Sequence, residues 1–326
     1  MIDVLAEVRQ ATRSLRRTPG FTLAAVLTLA LGIGATTTLV SVVDTLMFRP
    51  PVGVAEPTGL VRPYLHFVSS FGDWPAATVS YPDFTDLRDH VPAFNSVAAY
   101  YTVSSSLGLG AEARPVQVSG VSGGYFHALG ASPWRGRLLQ PQDDSIGAPA
   151  HVAVLSERFW RADLGADPGV IGRELRVGAD QFTVVGIARP GFAGPDLTAP
   201  DLWIPLSVLA PTFAGREFAT VRTSYFIRLF ARLAPGASEA VATQQATAAI
   251  AQGRADSTIS NGFRNVVLGP IQQARGPESN RSVRVALWLA LVSGIVLLVA
   301  CANAGNLLLA RGLARAREFA IRKALG

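Results

Sequence analysis

Two long runs of apolar residues interrupt the sequence, one near each end. Residues 21–43 and 285–309 contain no charged side chain. An α-helix rises about 1.5 Å per residue, so roughly 20 apolar residues cross the hydrocarbon core of a bilayer. The buried helix of a soluble domain seldom needs so long an uninterrupted apolar run. The pattern therefore predicts transmembrane helices over residues 21–48 and 282–310.

Strand and helix signals mix in the segment between these runs. Residues 114–121 alternate in polarity, as a strand with one covered face does. Residues 174–177 and 181–187 flank a Gly-Ala-Asp turn and predict a hairpin. Short helices are predicted over 124–130, where Gly130 ends the helix, and over 157–164, where Ser156 suits the N-cap position.

The later part of this segment predicts a strand–helix–strand unit. Residues 226–233 alternate strictly, an Ala- and Gln-rich helix is predicted over about 238–252, and a further strand over 265–268. This order is typical of a split βαβ module. We therefore expect an α+β domain of one or two subdomains over residues 49–281, with 269–277 as the hinge into the second apolar run.

Charge is distributed unevenly along the chain. Residues 51–280 hold 17 Arg and no Lys against 19 Asp and Glu, a net of −2, whereas the flanks hold 12 Arg and Lys against 4 acids, a net of +8. The basic excess lies beside the apolar runs, which does not indicate a nucleic-acid partner. Arginines before the first run and after the second predict that both chain ends are cytoplasmic.

This orientation places residues 49–281 outside the cytoplasm. Three arginines, Arg49, Arg281 and Arg284, lie on the opposite side but are outnumbered. The first run is longer than the apolar region of a signal peptide and lacks a clear cleavage site, so an uncleaved anchor is the better interpretation. Residues 1–20 are predicted to form an amphipathic helix along the cytoplasmic membrane surface.

One motif suggests catalysis. Residues 120–124 match G-x-S-x-G, the nucleophile elbow of α/β-hydrolases, with Ser122 as the nucleophile. Only His127 and His151 follow it, and the neighbouring acids, Asp143 and Asp144, are too close in sequence to His151 to come from a separate strand end. A glycine-rich turn is the preferred interpretation, so no catalytic residue is expected.

Nucleotide and metal sites are not expected either. A P-loop needs G-x-x-x-x-G-K-[ST], and the one lysine, Lys323, lies outside any such motif. The four histidines have no ligand spacing, and Cys301, the one cysteine, lies within the second apolar run. We interpret Asp83, Asp86 and Asp89 as the solvated face of a helix rather than a calcium loop. No cofactor is expected.

The C-terminal sequence indicates a family. Residues 314–326 read Ala-Arg-Ala-Arg-Glu-Phe-Ala-Ile-Arg-Lys-Ala-Leu-Gly, and this segment resembles the FtsX-like permease domain. Residues 16–22 and 29–35 look like the first helix of MacB-type ABC-transporter permeases, especially the duplicated orphan permeases. The segment between the runs is similar to the MacB-like periplasmic core, with matching pieces at 121–130, 136–137, 154–156, 159–160, 170–173 and 184–186.

The resemblance implies a role rather than a reaction. Such permeases work with a separate cytoplasmic ABC ATPase, pair as homo- or pseudo-dimers in the bacterial inner membrane, and relay ATP-driven motion to a periplasmic domain for export or mechanotransmission. The segment 311–326 matches the stretch that would receive the ATPase. The residues that the resemblance implies for this coupling are Arg315, Arg317, Glu318, Arg322 and Lys323.

Two other functions stay open at this point. The family pattern has further membrane helices after this stretch, so we expect a partial permease. A membrane-anchored extracytoplasmic sensor or binding protein has the same predicted topology, and a membrane-anchored hydrolase using Ser122 is the third reading.

Overall fold

The fold is taken from a computed structural model of the 326-residue chain. It describes residues 19–47, 54, 56–69, 72–110, 113–196, 199–255, 262–271, 276–277, 285, 288–303, 305–306 and 309. The chain divides into two compact units, one of residues 1–48 and 281–326 and the other of residues 49–280.

The first unit is described as a pair of helices. Helix α1 spans Pro19–Met47, and a second helix covers residues 288–303. Ser293 Oγ donates to Thr36 Oγ1 over 3.0 Å, and a Cβ at Gly32 would lie 3.0 Å from the Cβ of Ala300. Since later residues of one helix meet earlier residues of the other, the helices are antiparallel.

The first apolar run is helical in the structure, from Pro19 to Met47, and its crossing of a membrane stays a prediction. Residues 1–18, for which an amphipathic helix is predicted, lie outside the described residues. Among the described residues, no helix combines the length and the apolar character needed to cross a membrane.

A mixed sheet of 12 strands organises the described part of the second unit. Its main path runs β12-β1-β11-β4-β5-β10-β7-β9-β6, while β2 pairs with β1, β3 with β11, and β8 with both β4 and β9. The strands are β1 (Leu60–Ser69), β2 (Gly72–Ala76), β3 (Thr78–Val79), β4 (Phe94–Leu107), β5 (Arg114–Val121), β6 (Pro133–Gly136), β7 (Val152–Leu155), β8 (Glu174–Val177), β9 (Asp180–Ala188), β10 (Leu202–Pro205), β11 (Ile227–Leu233) and β12 (Phe263–Pro270).

Helices cover this sheet and connect its strands. Ser80, Ser156 and Ser238 cap three of them, each accepting a hydrogen bond from a backbone N–H in the first turn. The helices are α2 (Tyr81–His90), α3 (Tyr125–Ala128), α4 (Glu157–Asp163), α5 (Leu206–Leu209), α6 (Pro211–Ala214) and α7 (Glu239–Arg254).

The first subdomain is built on four main strands and two helices, and the short strands β2 and β3 extend it beside β1 and β11. Strands β11 and β12 both pair antiparallel with β1, and α7 connects them, so the predicted split βαβ module is confirmed. Strand β4 pairs antiparallel with β11 on the other side. The order β12-β1-β11-β4, with helices after the first and third strands in sequence, is the ferredoxin-like arrangement.

The second subdomain is inserted between β4 and β11. It contains β5 to β10, and its core packs α4 and α5 onto β5, β7, β9 and β10. The predicted hairpin is present, with Val177 opposite Asp180 and Gly178 at a φ of +61° in the turn. The one-faced strand expected over 114–121 is only half right, because residues 118–121 are buried on both faces between β4 and β10.

The expected hinge is partly wrong. Gly269 and Pro270 belong to β12, where they pair with Arg62 and Val61 of β1. Ile271 is buried directly after the strand. The sheet therefore holds the chain up to this residue, because the ladder hydrogen bonds continue to the end of β12.

Candidate coupling site

A buried arginine lies where the two subdomains meet the end of β12. Arg62 of β1 is 3% exposed, and its guanidinium group donates four hydrogen bonds. Nε donates to the Ile271 carbonyl over 2.6 Å, Nη1 to the Tyr100 hydroxyl over 2.6 Å, and Nη2 to the Pro195 carbonyl over 3.1 Å and to Asp196 Oδ1 over 2.6 Å. We call Arg62, Tyr100, Asp196 and Ile271 the Arg62 cluster.

The other groups of the cluster are also paired. The Tyr100 hydroxyl donates to Asp196 Oδ2 over 2.8 Å, and Arg228 Nη1 lies 3.3 Å from the same oxygen. A buried charge is tolerated only when it is paired and hydrogen-bonded, and this arrangement meets that condition. The guanidinium group therefore joins three separate backbone segments instead of standing as an unpaired charge.

Burial and pairing shift the pKa values of two groups of the cluster, Arg62 and Tyr100. Burial by itself lowers the pKa of Arg62, but the electrostatic attraction of Tyr100 and Asp196 outweighs it and the pKa is raised. Burial also raises the pKa of the Tyr100 hydroxyl. Arg62 therefore stays a cation and Tyr100 a neutral donor at any physiological pH.

The partners of Arg62 come from both subdomains. Tyr100 belongs to β4 of the first subdomain, whereas Pro195 and Asp196 belong to the segment between β9 and β10 in the second. Ile271 is the residue at which the chain leaves the sheet. One side chain thus ties the inserted subdomain to the end of the last strand.

A second ionic cluster contradicts one of our predictions. Asp83 of α2 was expected on a solvated helix face, but it is fully buried. Arg254 Nη2 lies 2.7 Å from Asp83 Oδ2, and Arg222 Nη1 lies 3.2 Å from Asp83 Oδ1 and 2.7 Å from Asp86 Oδ2. The Arg254 pair holds α2 against α7, and the Arg222 pairs hold α2 against the segment between α6 and β11. Of the three acids only Asp89, paired with exposed Arg88, is exposed.

The Ser122 motif is explained by packing. A Cβ at Gly120 would lie 2.8 Å from Leu209 Cδ2, and one at Gly123 would lie 2.4 Å from the Cα of Pro141. Ser122 is buried, and its Oγ accepts a hydrogen bond from the Ala99 backbone N–H over 3.0 Å. The glycines allow close contacts and the serine bridges two strands.

Among the described residues, neither histidine of the hypothetical hydrolase is hydrogen-bonded to Ser122, and of its two acids only Asp144 bonds to this turn, at the Gly123 backbone N–H. His127 and His151 are exposed, and the ring of His151 lies 5.6 Å from that of Phe182. Asp143 pairs with Arg137 over 2.6 Å. In the described part of the chain, no group of three or more His, Cys, Asp or Glu side chains could hold a metal ion.

Asp144 joins the inserted subdomain to the helix that leads back to the first. Its Oδ1 accepts from the backbone N–H of Ser207 over 2.8 Å and from Ser207 Oγ over 2.7 Å, and its Oδ2 accepts from the backbone N–H of Gly123 over 3.2 Å. Burial raises the pKa of Asp144 to about 6, although these three donors lower it. The carboxyl group therefore titrates near neutral pH.

The residues predicted to couple to an ATPase, Arg315, Arg317, Glu318, Arg322 and Lys323, lie outside the described residues. Sequence reasoning, in turn, missed the Arg62 cluster. One signal was available: Arg62 interrupts the apolar stretch Leu60-Val-Arg-Pro-Tyr-Leu65, and a charge on a core-facing strand needs a buried partner.

Comparisons with known proteins bear on the whole domain. The profile of the family described as MacB-like periplasmic core domain matches residues 22–249. The macrolide export ATP-binding/permease protein MacB of Salmonella paratyphi A is 26% identical over 240 residues, which cover 72% of this chain and 34% of that protein. MacB 1 of Yersinia pestis bv. Antiqua is 25% identical over 248 residues, covering 74% and 36% respectively.

A solved structure has the same fold. A domain described as part of a permease protein from Porphyromonas gingivalis superimposes with a TM-score of 0.50 at 14% identity, covering 71% of this chain and 98% of that one. The chain spans about a third of the length of the curated relatives it matches.

Proposed function

The chain belongs to the family of MacB-like ABC-transporter permeases, through its periplasmic core domain, and we propose that it carries the outer domain of such a permease between two membrane-crossing helices. In this proposal residues 49–281 lie in the periplasm, and both chain ends lie in the cytoplasm. A separate ABC ATPase would act on residues 311–326, and the outer domain would receive the resulting motion, either for export or as a mechanical signal.

One observation carries the relay. Arg62 binds the carbonyl oxygen of Ile271, where β12 ends, and the carboxylate of Asp196 in the inserted subdomain. In this proposal a displacement of the chain beyond β12 acts on a buried, hydrogen-bonded connection. Because the same guanidinium group holds both, such a displacement reaches both subdomains.

The proposed membrane crossing rests on the two uncharged runs and on the arginine asymmetry. The side chains of the helix pair support it further. Gly32, Ser293 and Ala300 are buried at the contact, while large apolar side chains such as Leu31, Trp288 and Leu298 are more than half exposed. Small and hydroxyl residues between helices with apolar residues outside are typical of helix pairs in lipid. The antiparallel pairing agrees with two chain ends on one side.

Cysteine accessibility tests this topology. In a Cys301→Ser background, a single cysteine replaces either Gln244, exposed on α7, or Gly326. A membrane-impermeant maleimide is then added to cells whose outer membrane has been permeabilised. We expect labelling at position 244 before lysis and at position 326 only after lysis. Equal labelling of both positions before lysis would contradict the proposal.

A further inference from the structure

A partly open cavity of about 190 Å³ lies in the second unit, away from the Arg62 cluster. It is bounded by β4, the β8–β9 hairpin, the end of β10 and helices α5 and α6. Its walls are mainly apolar. The side chains that define them best are Val103, Val177, Phe182, Ile204, Leu209 and Phe213.

One wall residue carries a charge. Asp180, at the C-terminal side of the hairpin turn, lines the cavity, and within the described part of the chain its carboxylate has neither a hydrogen bond nor an ion pair. The nearby cation Arg176 reaches the Ala179 carbonyl instead, over 3.5 Å. An unpaired carboxylate beside an apolar surface favours a cationic group that brings its own apolar body.

Two of the three hydroxyl groups that line the cavity are already used, those of Ser104 and Thr212. Ser104 Oγ accepts from Gln117 Nε2 over 2.7 Å, and Thr212 Oγ1 donates to the Leu209 carbonyl over 2.6 Å. At the rim, the ring of Phe213 is half exposed and meets Tyr101 edge-on at 5.1 Å. An exposed ring and a carboxylate that line the same cavity together offer an apolar surface, a π face and a negative charge to an ammonium group.

We propose that this cavity binds a small apolar monocation, an aryl- or alkylammonium ion whose charge pairs with Asp180. An engineered apolar cavity of about 150 Å³ binds benzene. The cavity here, of about 190 Å³, therefore has room for one ring with a short aminoalkyl arm. Such a site gives the outer domain a ligand of its own, independent of any relay through Arg62.

Ligand NMR on the full chain in nanodiscs of zwitterionic lipid tests the proposal. The probes are 4-fluorophenethylammonium and its neutral analogue 2-(4-fluorophenyl)ethanol, followed by the broadening of their fluorine signals on titration. We expect the ammonium ion to bind roughly fivefold more tightly, the scale of one partly exposed ion pair. Partition into lipid is the same for every variant of the chain, so it cancels in comparisons between variants.

Two variants separate the contributions. Asp180→Asn changes a turn residue at the surface, so the fold is retained, and we expect the two probes to bind equally. Val103→Phe fills the cavity from β4, and we expect both probes to lose binding. Equal binding of the probes by the unmodified chain, no saturable binding, or a preference that survives in Asp180→Asn would each overturn the proposal.

Discussion

The guanidinium group of Arg62 donates a hydrogen bond to the carbonyl oxygen of Ile271 over 2.6 Å. These residues lie 209 positions apart in the sequence, one near the start of the first strand and the other directly after the last. The bond therefore closes the domain at the point where the chain both enters and leaves the sheet. Its energetic weight can be measured, because the guanidinium group is buried and its partners are known.

We expect Arg62→Met to lower the free energy of unfolding of the outer domain by about 3–5 kcal/mol, because the mostly buried carboxylate of Asp196 then keeps only half-exposed Arg228 as a cationic partner among the described residues. Denaturant unfolding of the full chain, followed by tryptophan fluorescence, measures this. Arg88→Met is the matched control, since the Arg88–Asp89 pair is exposed and should contribute less than about 1 kcal/mol.

Hydrogen exchange shows whether the cluster is one unit. In Arg62→Met we expect faster exchange at residues 189–196 and at 262–271 together, since one side chain holds both segments. Asp196→Asn should produce the same pair of changes. Faster exchange at only one of the two segments would show that Arg62 does not couple them.

Two neighbouring acids, Asp143 and Asp144, should change the dependence of stability on pH in opposite directions. The pKa of Asp144 is raised to about 6 from 3.8 in the folded state. The unfolded chain therefore loses this proton first, and stability falls as the pH rises from about 4 to about 6. One pKa unit corresponds to about 1.4 kcal/mol, so with allowance for partial exposure the fall is about 1–3 kcal/mol. In Asp144→Asn this fall in stability with rising pH should vanish.

Asp143 serves as the control for Asp144. Although burial raises its pKa, the hydrogen bonds from Arg137 and from the Gln140 backbone outweigh this and the pKa is lowered. Its contribution to stability is therefore complete above the unfolded pKa and is lost as the pH falls below it. Thermal melts from pH 3 to 8 should show that Asp143→Asn removes only the loss of stability at acidic pH. If stability depended on pH in the same way in Asp143→Asn and in Asp144→Asn, the opposite pKa shifts assigned to these two acids would be contradicted.

A pair of glycines tests the contact between the two helices of the first unit. A Cβ at Gly32 would lie 3.0 Å from the Cβ of Ala300, whereas one at Gly34 has no atom within 4 Å. Gly32→Leu should therefore overpack the contact, at a cost of about 1–3 kcal/mol, and Gly34→Leu should not.

Disulfide formation reports this contact. Cysteines replace Thr36 and Ser293, whose hydroxyl oxygens lie 3.0 Å apart, in a Cys301→Ser background. We expect efficient oxidation in the parent chain and in Gly34→Leu, and poor oxidation in Gly32→Leu. Equal oxidation in the two leucine variants would rule out the helix contact described here.

Local sequence signals predicted much of the second unit. The N-cap at Ser156, the hairpin around Gly178 and the helix after Ser238 depend on residues a few positions apart, and all are confirmed. Such elements are set by backbone geometry and short-range hydrogen bonds. The interleaving of the subdomains was not predicted, because strand order depends on contacts between distant segments.

Burial of charge was the main failure. Asp83 was assigned to solvent from the spacing of its neighbours in α2, yet its partners Arg222 and Arg254 lie 139 and 171 positions away. Sequence periodicity carries no information on such partners, since an acid on a helix looks the same whether water or an arginine faces it. For the same reason the ion pair of Asp196 was not predicted, since its partner Arg62 is 134 positions away.

The last prediction concerns Glu318, one of the residues that the family resemblance assigns to ATPase coupling. A segment that only anchors the chain by positive charge gains nothing from an acid, so Glu318→Arg should leave membrane insertion intact. A segment that docks on an ATPase uses the acid against a basic group of its partner. Reversing the charge in a buried pair then costs about 2 kcal/mol or more, a loss of roughly 30-fold in affinity.

Photocrosslinking from position 319 to a co-expressed ABC ATPase measures this docking, in a permease that contains all its membrane helices. Glu7→Arg is the matched control, because it makes the same change of charge in the other segment predicted to be cytoplasmic. We expect crosslinking and ATPase stimulation to fall in Glu318→Arg and to persist in Glu7→Arg, with membrane levels equal in both. If Glu318→Arg retained full crosslinking and full stimulation, residues 311–326 would act as a positive anchor alone, and the ATPase contact would have to lie elsewhere in the chain.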